Sequence, residues 1–504
     1  MNKELWEQIE AGEDVRQNLS TLRQRLRRDE NGRTFGKYLK EGEKEVILIG
    51  LLSHEDYKVR KNAALLMGEI GNKAFREPLL AGYKAESQQM VKSSYLAALR
   101  SFDCDKYKEE LQKRYEELSK EDVAPESRKH RNEELKELSA LLSGMEDIQK
   151  HVFKGLKGPG EVYLTTKRCC ADITAQEVER WNPDAEVSVA GAGVLVKTNQ
   201  VHWRNQVRTY KEMFFRIKGL DACPADPEEA AKKVAGSDLL AFLERTHKGV
   251  PPFYFRIEVR GKLDQDKRSE FAKKMAVNLE RITGRKLVNA VSDYELLIRL
   301  VENKKGTYTT LVRLTTMGDE RFSYRKEYTA ESMKPINAAV TVALAKEFMQ
   351  EGAQVLDPFC GVGTLLVERQ KAVRAKSCYG VDYKGEAIEG ANKNTPAAGQ
   401  IAHYVRRDFF DFTHEYLFDE IITDMPFAMG MKGKDEIREL YRAFFKKAGW
   451  LLCPGGVMIL YTRDKQYVDQ FAPKAGYTVE KEVQFDGKDD TWLVVLTYKK
   501  NEKK

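Results

Sequence analysis

Nowhere in the 504 residues does an apolar run approach the ~20 residues that a membrane-spanning helix needs. Met1-Asn2-Lys3-Glu4-Leu5-Trp6 lacks the long apolar core of a secretion signal. Together these absences predict a cytoplasmic protein with no membrane partner. Cysteine is sparse: Cys104, Cys169, Cys170, Cys223, Cys360, Cys378 and Cys453 form an odd set without C-x-x-C spacing. Reduced thiols are expected, with no disulfide framework and no metal site. A strong excess of one charge is missing too. The 85 Lys and Arg against 78 Asp and Glu leave +7, which permits nucleic-acid binding without establishing it. What is present is ordinary globular composition, 42% hydrophobic and 32% charged. The length is too great for one core, so two to four domains are expected.

Residues 1–148 read as all helix, because apolar positions recur at helical spacing with no strand-like alternation. Val59-Arg60-Lys61-Asn62-Ala63-Ala64-Leu65-Leu66 aligns with Val91-Lys92-Ser93-Ser94-Tyr95-Leu96-Ala97-Ala98 at an offset of 32 residues. A repeat of that length predicts stacked helix pairs, a HEAT-like solenoid, with an irregular helical bundle as the alternative. From Lys106 to Lys150 the chain is dense in Lys and Glu and interrupted at Pro125. This reads as solvated helix and linker, so the chain beyond residue 150 is expected to fold without the helices.

Character changes at Lys157-Gly158-Pro159-Gly160, a turn after which β-type runs begin. Strands are expected at 161–166, 185–189, 193–196, 253–259, 295–301 and 308–314, with helices at 173–181 and 269–283. The segment 149–327 is therefore an α+β region of one or two small modules. Ten Lys and Arg fall between Arg256 and Lys286, enough to neutralise several phosphates, though Asp264, Asp266, Glu270 and Glu280 dilute their field.

The segment 328–504 alternates strand and helix, which predicts a doubly wound, Rossmann-like parallel sheet. Its strands are expected at 354–359, 378–383, 403–408, 419–427 and 456–462. A closing hairpin is expected at 477–485 and 491–498, around Gly487. The first strand ends in Asp357-Pro358-Phe359-Cys360-Gly361-Val362-Gly363-Thr364. Gly361 and Gly363 let the backbone turn sharply and approach a ligand, and the helix from Thr364 offers free N–H groups. A dinucleotide-binding turn would want a third glycine where Leu366 stands. The carboxylate of Asp357 repels pyrophosphate and suits the ammonium and sulfonium of S-adenosylmethionine. Asp382 lies 19 residues past Gly363, the place for a carboxylate that binds ribose hydroxyls. Asp408 is placed to accept from an adenine amine and Phe409 to cover the ring.

The fourth strand ends in Thr423-Asp424-Met425-Pro426-Phe427, beyond the carboxyl end of the sheet, where ligands sit. The tetrapeptide Asp424–Phe427 suits methyl transfer to an exocyclic amine. Such a nitrogen has its lone pair delocalised into the ring. The Asp424 carboxylate and a backbone carbonyl held by Pro426 can accept its N–H bonds and localise that pair. Phe427 can stack on the extruded base. Positioning then supplies most of the catalysis.

The two loops, 357–364 and 423–427, resemble the signature loops of THUMP-containing RNA guanine-N2 methyltransferases. So do Val207-Arg208-Thr209-Tyr210-Lys211-Glu212-Met213, which resembles their link between a ferredoxin-like module and THUMP, and Tyr324-Arg325-Lys326 with Met333-Lys334-Pro335-Ile336-Asn337, which resembles their entry into the catalytic domain. The resemblance covers roughly residues 155–498. It implies a multidomain protein: helical 1–148, ferredoxin-like plus THUMP-like 149–327, and a methyltransferase domain at 328–504. It further implies S-adenosylmethionine as cofactor and RNA as partner, tRNA ahead of ribosomal RNA. Met425 departs from the family's usual Pro-Pro, and Ala428 from its usual glycine, which leaves guanine-N2 and adenine-N6 both open. The helices fall outside the family layout. They suggest a surface for a protein partner or RNA, or a helical scaffold that binds RNA without catalysis.

Overall fold

Helices make up every element between Asn2 and Gly144 in the computed structural model. The model describes all residues except 1, 29–31, 42, 122–123, 125–126, 146–149, 428–432, 487–488 and 500–504. The readings made at Pro125, Ala428 and Gly487 lie outside the described residues. Helix Tyr57–Ile70 shows how the sequence forms this region. Val59, Ala63, Leu66, Met67 and Ile70 fall on one buried stripe. Asp56 caps the start by accepting from the Lys58 amide, and Gly71, at φ +69°, ends it. Val91 sits at the same place in Gln89–Leu99 as Val59 does in Tyr57–Ile70, and both are buried. The 32-residue offset therefore marks equivalent helix starts.

In the Lys/Glu-rich stretch the expected helices are present, but they are not merely solvated. Helices Lys108–Lys120 and Arg128–Gly144 bury Leu111, Tyr115, Leu118, Leu135, Leu138 and Leu142 in the core of the helical region. Most of the charge that dominates the sequence lies on their outer faces, with Arg131 and Glu134 buried.

The chain divides into two compact units, and they do not follow the linear order of segments. The first joins residues 1–154 to 217–316. In it, strand Phe253–Arg260 pairs in parallel with Leu287–Asn289 and Leu296–Glu302, and the latter pairs antiparallel with Tyr308–Leu314. Helix Gln265–Ile282 packs between this sheet and the N-terminal helices. Val277 contacts their core, the Arg281 guanidinium donates to the Ser119 carbonyl at 3.3 Å, and buried Arg285 donates to the Ser139 carbonyl at 3.1 Å. The expectation that few core contacts cross residue 150 is thereby overturned. Arg281 and Arg285 are also withdrawn from the basic cluster, because packing occupies them.

The second unit joins residues 155–216 to 317–504. Its smaller module has antiparallel strands in the order Glu186–Ala190, Gly193–Thr198, Gly160–Thr165, Glu212–Arg216, with helix Ala171–Trp181 against them. Its larger module is a seven-stranded sheet with β1 Gln354–Asp357, β2 Ser377–Asp382, β3 His403–Arg406, β4 Phe418–Asp424, β5 Leu452–Thr462, β6 Tyr477–Asp486 and β7 Asp489–Tyr498. The order is β3-β2-β1-β4-β5-β7-β6, with β7 antiparallel to both neighbours and the rest parallel. The expected strands are all present, with β1, β3 and β4 ending two or three residues earlier than read.

Alternation along the strands splits the core. Leu356, Val381, Ile421, Met458 and Leu460 face helix Lys434–Ala448, while Val355, Cys378, Ile422 and Ile459 face α1 (Pro335–Ala345) and α2 (Thr364–Ala372). Each face being covered, the strands read as continuous apolar runs. Among the described residues no helix is long and apolar enough to cross a membrane.

Candidate active site

The carboxyl ends of β1, β2 and β4, with the turns that follow them, enclose a cleft of about 400 Å³. The β1 turn is shaped by Gly361 at φ +50° and Gly363 at φ +77°, both in the left-handed region that disfavours side chains. A Cβ on Gly361 would meet no protein atom within 4 Å, and this residue lines the cleft. Gly363 does not line it. Added there, a Cβ would collide with the Tyr404 hydroxyl. Gly363 therefore serves the turn and the packing beneath it.

Asp357 is placed differently from expectation. It is buried, accepting from the Thr423 hydroxyl at 2.6 Å and the Phe359 amide at 3.1 Å. Burial pushes its carboxyl up to about 7, against those two hydrogen bonds and with the repulsion of Asp424 and Asp382. It is a brace between β1 and β4 whose edge reaches the cleft. Asp382 keeps its expected place. Its oxygens accept from the Gly361 amide at 3.0 Å and the Lys384 amide at 2.9 Å, which fixes the carboxylate toward the cleft. Each oxygen retains a lone pair for a ligand hydroxyl.

Asp408 lines the cleft and accepts from the Phe410 amide at 2.9 Å. Phe409 is 2% exposed, its ring packed edge-on against Phe359 at 5.6 Å and against Phe444 at 5.7 Å. It supports the cleft floor from within the core. Half-buried Phe410, not singled out in the sequence, offers the cleft a more accessible ring.

Thr364 opens α2. The residue lines the cleft, and its hydroxyl is buried with no hydrogen-bond partner among the described residues. A buried hydroxyl without a partner is destabilising, and beside the free amides of a helix start it marks a place where a polar ligand atom completes the bonding. The donors and acceptors present thus fit the nucleoside and amino-acid ends of S-adenosylmethionine: the Asp382 carboxylate for vicinal hydroxyls, Asp408 and Phe410 for a ring, and Thr364 with the α2 amides for a polar tail.

The segment Thr329–Met333 also lines the cleft, and Lys384 pairs with Glu331 there. It lies more than twenty residues before β1 and carries no local pattern. Only the expected entry into the domain pointed to it.

Asp424, the last residue of β4, stands in register with Tyr461 of β5, and the Met425 amide donates to the Tyr461 carbonyl at 2.9 Å. This pins the Asp424–Phe427 turn against the end of β5. Met425 is buried in the core below, while Asp424, Pro426 and Phe427 line the cleft. Burial pushes the Asp424 carboxyl up to about 7, opposed by the charge of Arg463. The Arg463 guanidinium lies over the Phe427 ring, 4.0 Å from its centroid.

One tie anchors this floor to the smaller module. Arg208 meets Glu368 on α2 through two hydrogen bonds of 2.7 Å, and the Tyr324 hydroxyl reaches the same carboxylate at 2.6 Å. The Arg208-containing and Tyr324-containing segments picked out in the sequence thus converge on the helix that the glycine turn begins.

Residues 323–493 match the family model UPF0020, described as RMKL-like, methyltransferase domain. Over 156 residues the chain is 29% identical to the tRNA (guanine(10)-N2)-dimethyltransferase of Methanothermobacter thermautotrophicus, covering 29% of this chain and 45% of that protein. Over 206 residues it is 24% identical to the tRNA (guanine(6)-N2)-methyltransferase of Archaeoglobus fulgidus, covering 35% of this chain and 52% of that one. The chain spans about half the length of these curated relatives. Among solved structures, TrmN from Thermus thermophilus aligns at TM-score 0.52 and 19% identity, over 67% of this chain and 99% of that one. SMU.472, in its complex with SAH, aligns at TM-score 0.52 and 16% identity, over 69% and 100%. At these identities the structural likeness is one of fold. All the cleft residues named above lie inside the stretch that matches a methyltransferase family model.

Proposed function

We propose that this protein is an S-adenosylmethionine-dependent RNA methyltransferase acting on the exocyclic N2 amine of a guanine in tRNA. The observation that carries the reading is the Asp424–Phe427 turn, a carboxylate and an aromatic ring held together at the mouth of a cleft suited to the cofactor. The curated relatives named for guanine-N2 methylation of tRNA support the choice of base and RNA.

Bound S-adenosylmethionine supplies an electrophilic methyl group. The chain's residues do the rest by placement. Phe427 stacks on the extruded base. Asp424, as carboxylate, accepts from the amine, and the backbone carbonyl beside Pro426 takes its second N–H, so the nitrogen lone pair points outward. Asp382 and Thr364 hold the donor molecule on the opposite side of the cleft.

The α+β region 149–327 is read as ferredoxin-like plus THUMP-like, gripping the single-stranded 3′ end of tRNA and so setting the distance to the target base. The helices of 1–148 are read as a HEAT-like stack serving a protein partner or RNA, and the protein as cytoplasmic. The test is nucleoside mass spectrometry of tRNA and ribosomal RNA incubated with the protein and S-adenosylmethionine. N2-methylguanosine in intact tRNA, and much less in tRNA lacking its last four nucleotides, is the expected result. N6-methyladenosine, or product confined to ribosomal RNA, overturns the base or the substrate respectively.

A further inference from the structure

Arg463 is the first residue beyond the end of β5, exposed, and outside both signature loops. Its guanidinium lies over Phe427 at 4.0 Å. The turn that carries Phe427 is fixed against it, because Asp424 is in register with Tyr461 and the Met425 amide binds the Tyr461 carbonyl, two residues before Arg463. Among the described residues no carboxylate forms an ion pair with Arg463, so its charge and its N–H donors are uncommitted.

We propose that Arg463 is a positioning residue of the acceptor-base site, backing one face of Phe427 and holding the neighbouring Asp424 in its acceptor form. The proposal rests on the amine-methylating reading above. With the guanidinium on one face, Phe427 has only its other face for a nucleobase, which fixes the plane in which the base enters. A cation over an aromatic face is attractive, and a planar guanidinium covers a ring as a lysine ammonium cannot.

The electrostatic half follows from what surrounds Asp424. Its ionisable neighbours are Asp357, Tyr441 and Arg463. Burial pushes both Asp357 and Asp424 up to about 7, and two carboxyls in one low-dielectric site resist ionising together. Arg463 is the cation that opposes this at Asp424. Without it, the Asp424 carboxyl would stay protonated to higher pH, and a protonated carboxyl offers the amine a donor where an acceptor is needed.

The two roles separate by substitution. Arg463→Gln keeps a planar group and loses the charge. Arg463→Lys keeps the charge and loses the plate. The readouts are the pH profile of kcat/KM on tRNA and the titration of the Asp424 carboxyl by carbon-13 NMR, its signal identified by loss in Asp424→Asn. The Gln variant is expected to raise both midpoints by about half a pH unit, the scale of one partly screened neighbouring charge. The Lys variant is expected to keep the midpoints and raise KM for tRNA about threefold, the scale of an exposed cation–π contact. S-adenosylhomocysteine affinity should not change in either. An unshifted NMR titration in Arg463→Gln overturns the charge role, and an unchanged KM in Arg463→Lys overturns the stacking role. A wild-type protein inactive on every RNA, with the Gln variant still shifting the carboxyl titration, would instead sink the amine-methylating reading and leave Arg463's hold on Asp424 standing.

Discussion

Two side chains in the cleft carry opposite signatures of function. Thr364 has a buried hydroxyl with no protein partner among the described residues, so its removal should cost the fold nothing. Thr364→Val is expected to leave the melting temperature unchanged or raised while weakening S-adenosylmethionine binding by about 1 kcal/mol, roughly fivefold in Kd by calorimetry. Equal affinity would show that the hydroxyl is a packing accident. Asp424 should behave in reverse. Asp424→Asn keeps the shape and replaces one acceptor by a donor, so transfer is expected to fall at least about a hundredfold with cofactor affinity within about twofold. In the wild type the Asp424 carboxyl sits near 7. Below that pH it holds a proton, which turns one oxygen into a donor and weakens the other as an acceptor, and above it the fully accepting carboxylate prevails. The rate should therefore rise as pH passes 7, and a profile flat from pH 6 to 8 would detach catalysis from Asp424.

At the scale of elements, the glycine turn and the two strand-end carboxylates were legible because strand, turn and helix follow one another within a dozen residues. The spacing from Gly363 to Asp382 then fixes the next strand end. Strand Glu212–Arg216 was not legible as a strand. Its adjacent Phe214 and Phe215 are both buried, which breaks the alternation that identifies a half-buried strand. Arg463 left no signal either, since it acts from beyond the end of β5 on a loop over thirty residues away in sequence. A still longer separation, 160 residues, hid the partner of Arg208. Glu368 on α2 is buried and bonded by both Arg208 and Tyr324. Arg208→Ala would strand that carboxylate, a loss of about 3 kcal/mol or more in denaturant unfolding. The double variant Arg208→Met with Glu368→Leu should recover most of it. If the tie only stabilises, the double variant regains full methyl transfer. If it also sets the pitch of the helix under the cofactor turn, stability returns while KM for S-adenosylmethionine stays raised.

At the scale of the molecule, the linear reading and the folded one part company. A charged stretch around residues 106–150 looks like a linker because its outward faces are rich in Lys and Glu, yet its inward faces complete a core. Helix Gln265–Ile282 depends on that core. It lends Val277 to it, and the Arg285 that follows it is buried against Ser139. The cleft depends on it far less, for its lining residues belong to the other compact unit. Deleting residues 1–148 should therefore divide the properties of the protein. Residues 217–316 would expose the apolar side of Gln265–Ile282 and bury nothing against Arg285, so this part is expected to lose its cooperative unfolding transition and show slow-exchanging amides turning fast. Residues 317–498 should keep their protection from exchange, and S-adenosylhomocysteine should still bind and raise their melting temperature. Hydrogen exchange read by mass spectrometry distinguishes the two regions in one experiment. Uniform loss of protection across both would mean that the cleft cannot form without the helices. Uniform retention would mean that the contacts of Val277 and Arg285 contribute nothing, and that the charged stretch behaves as the linker its sequence suggests.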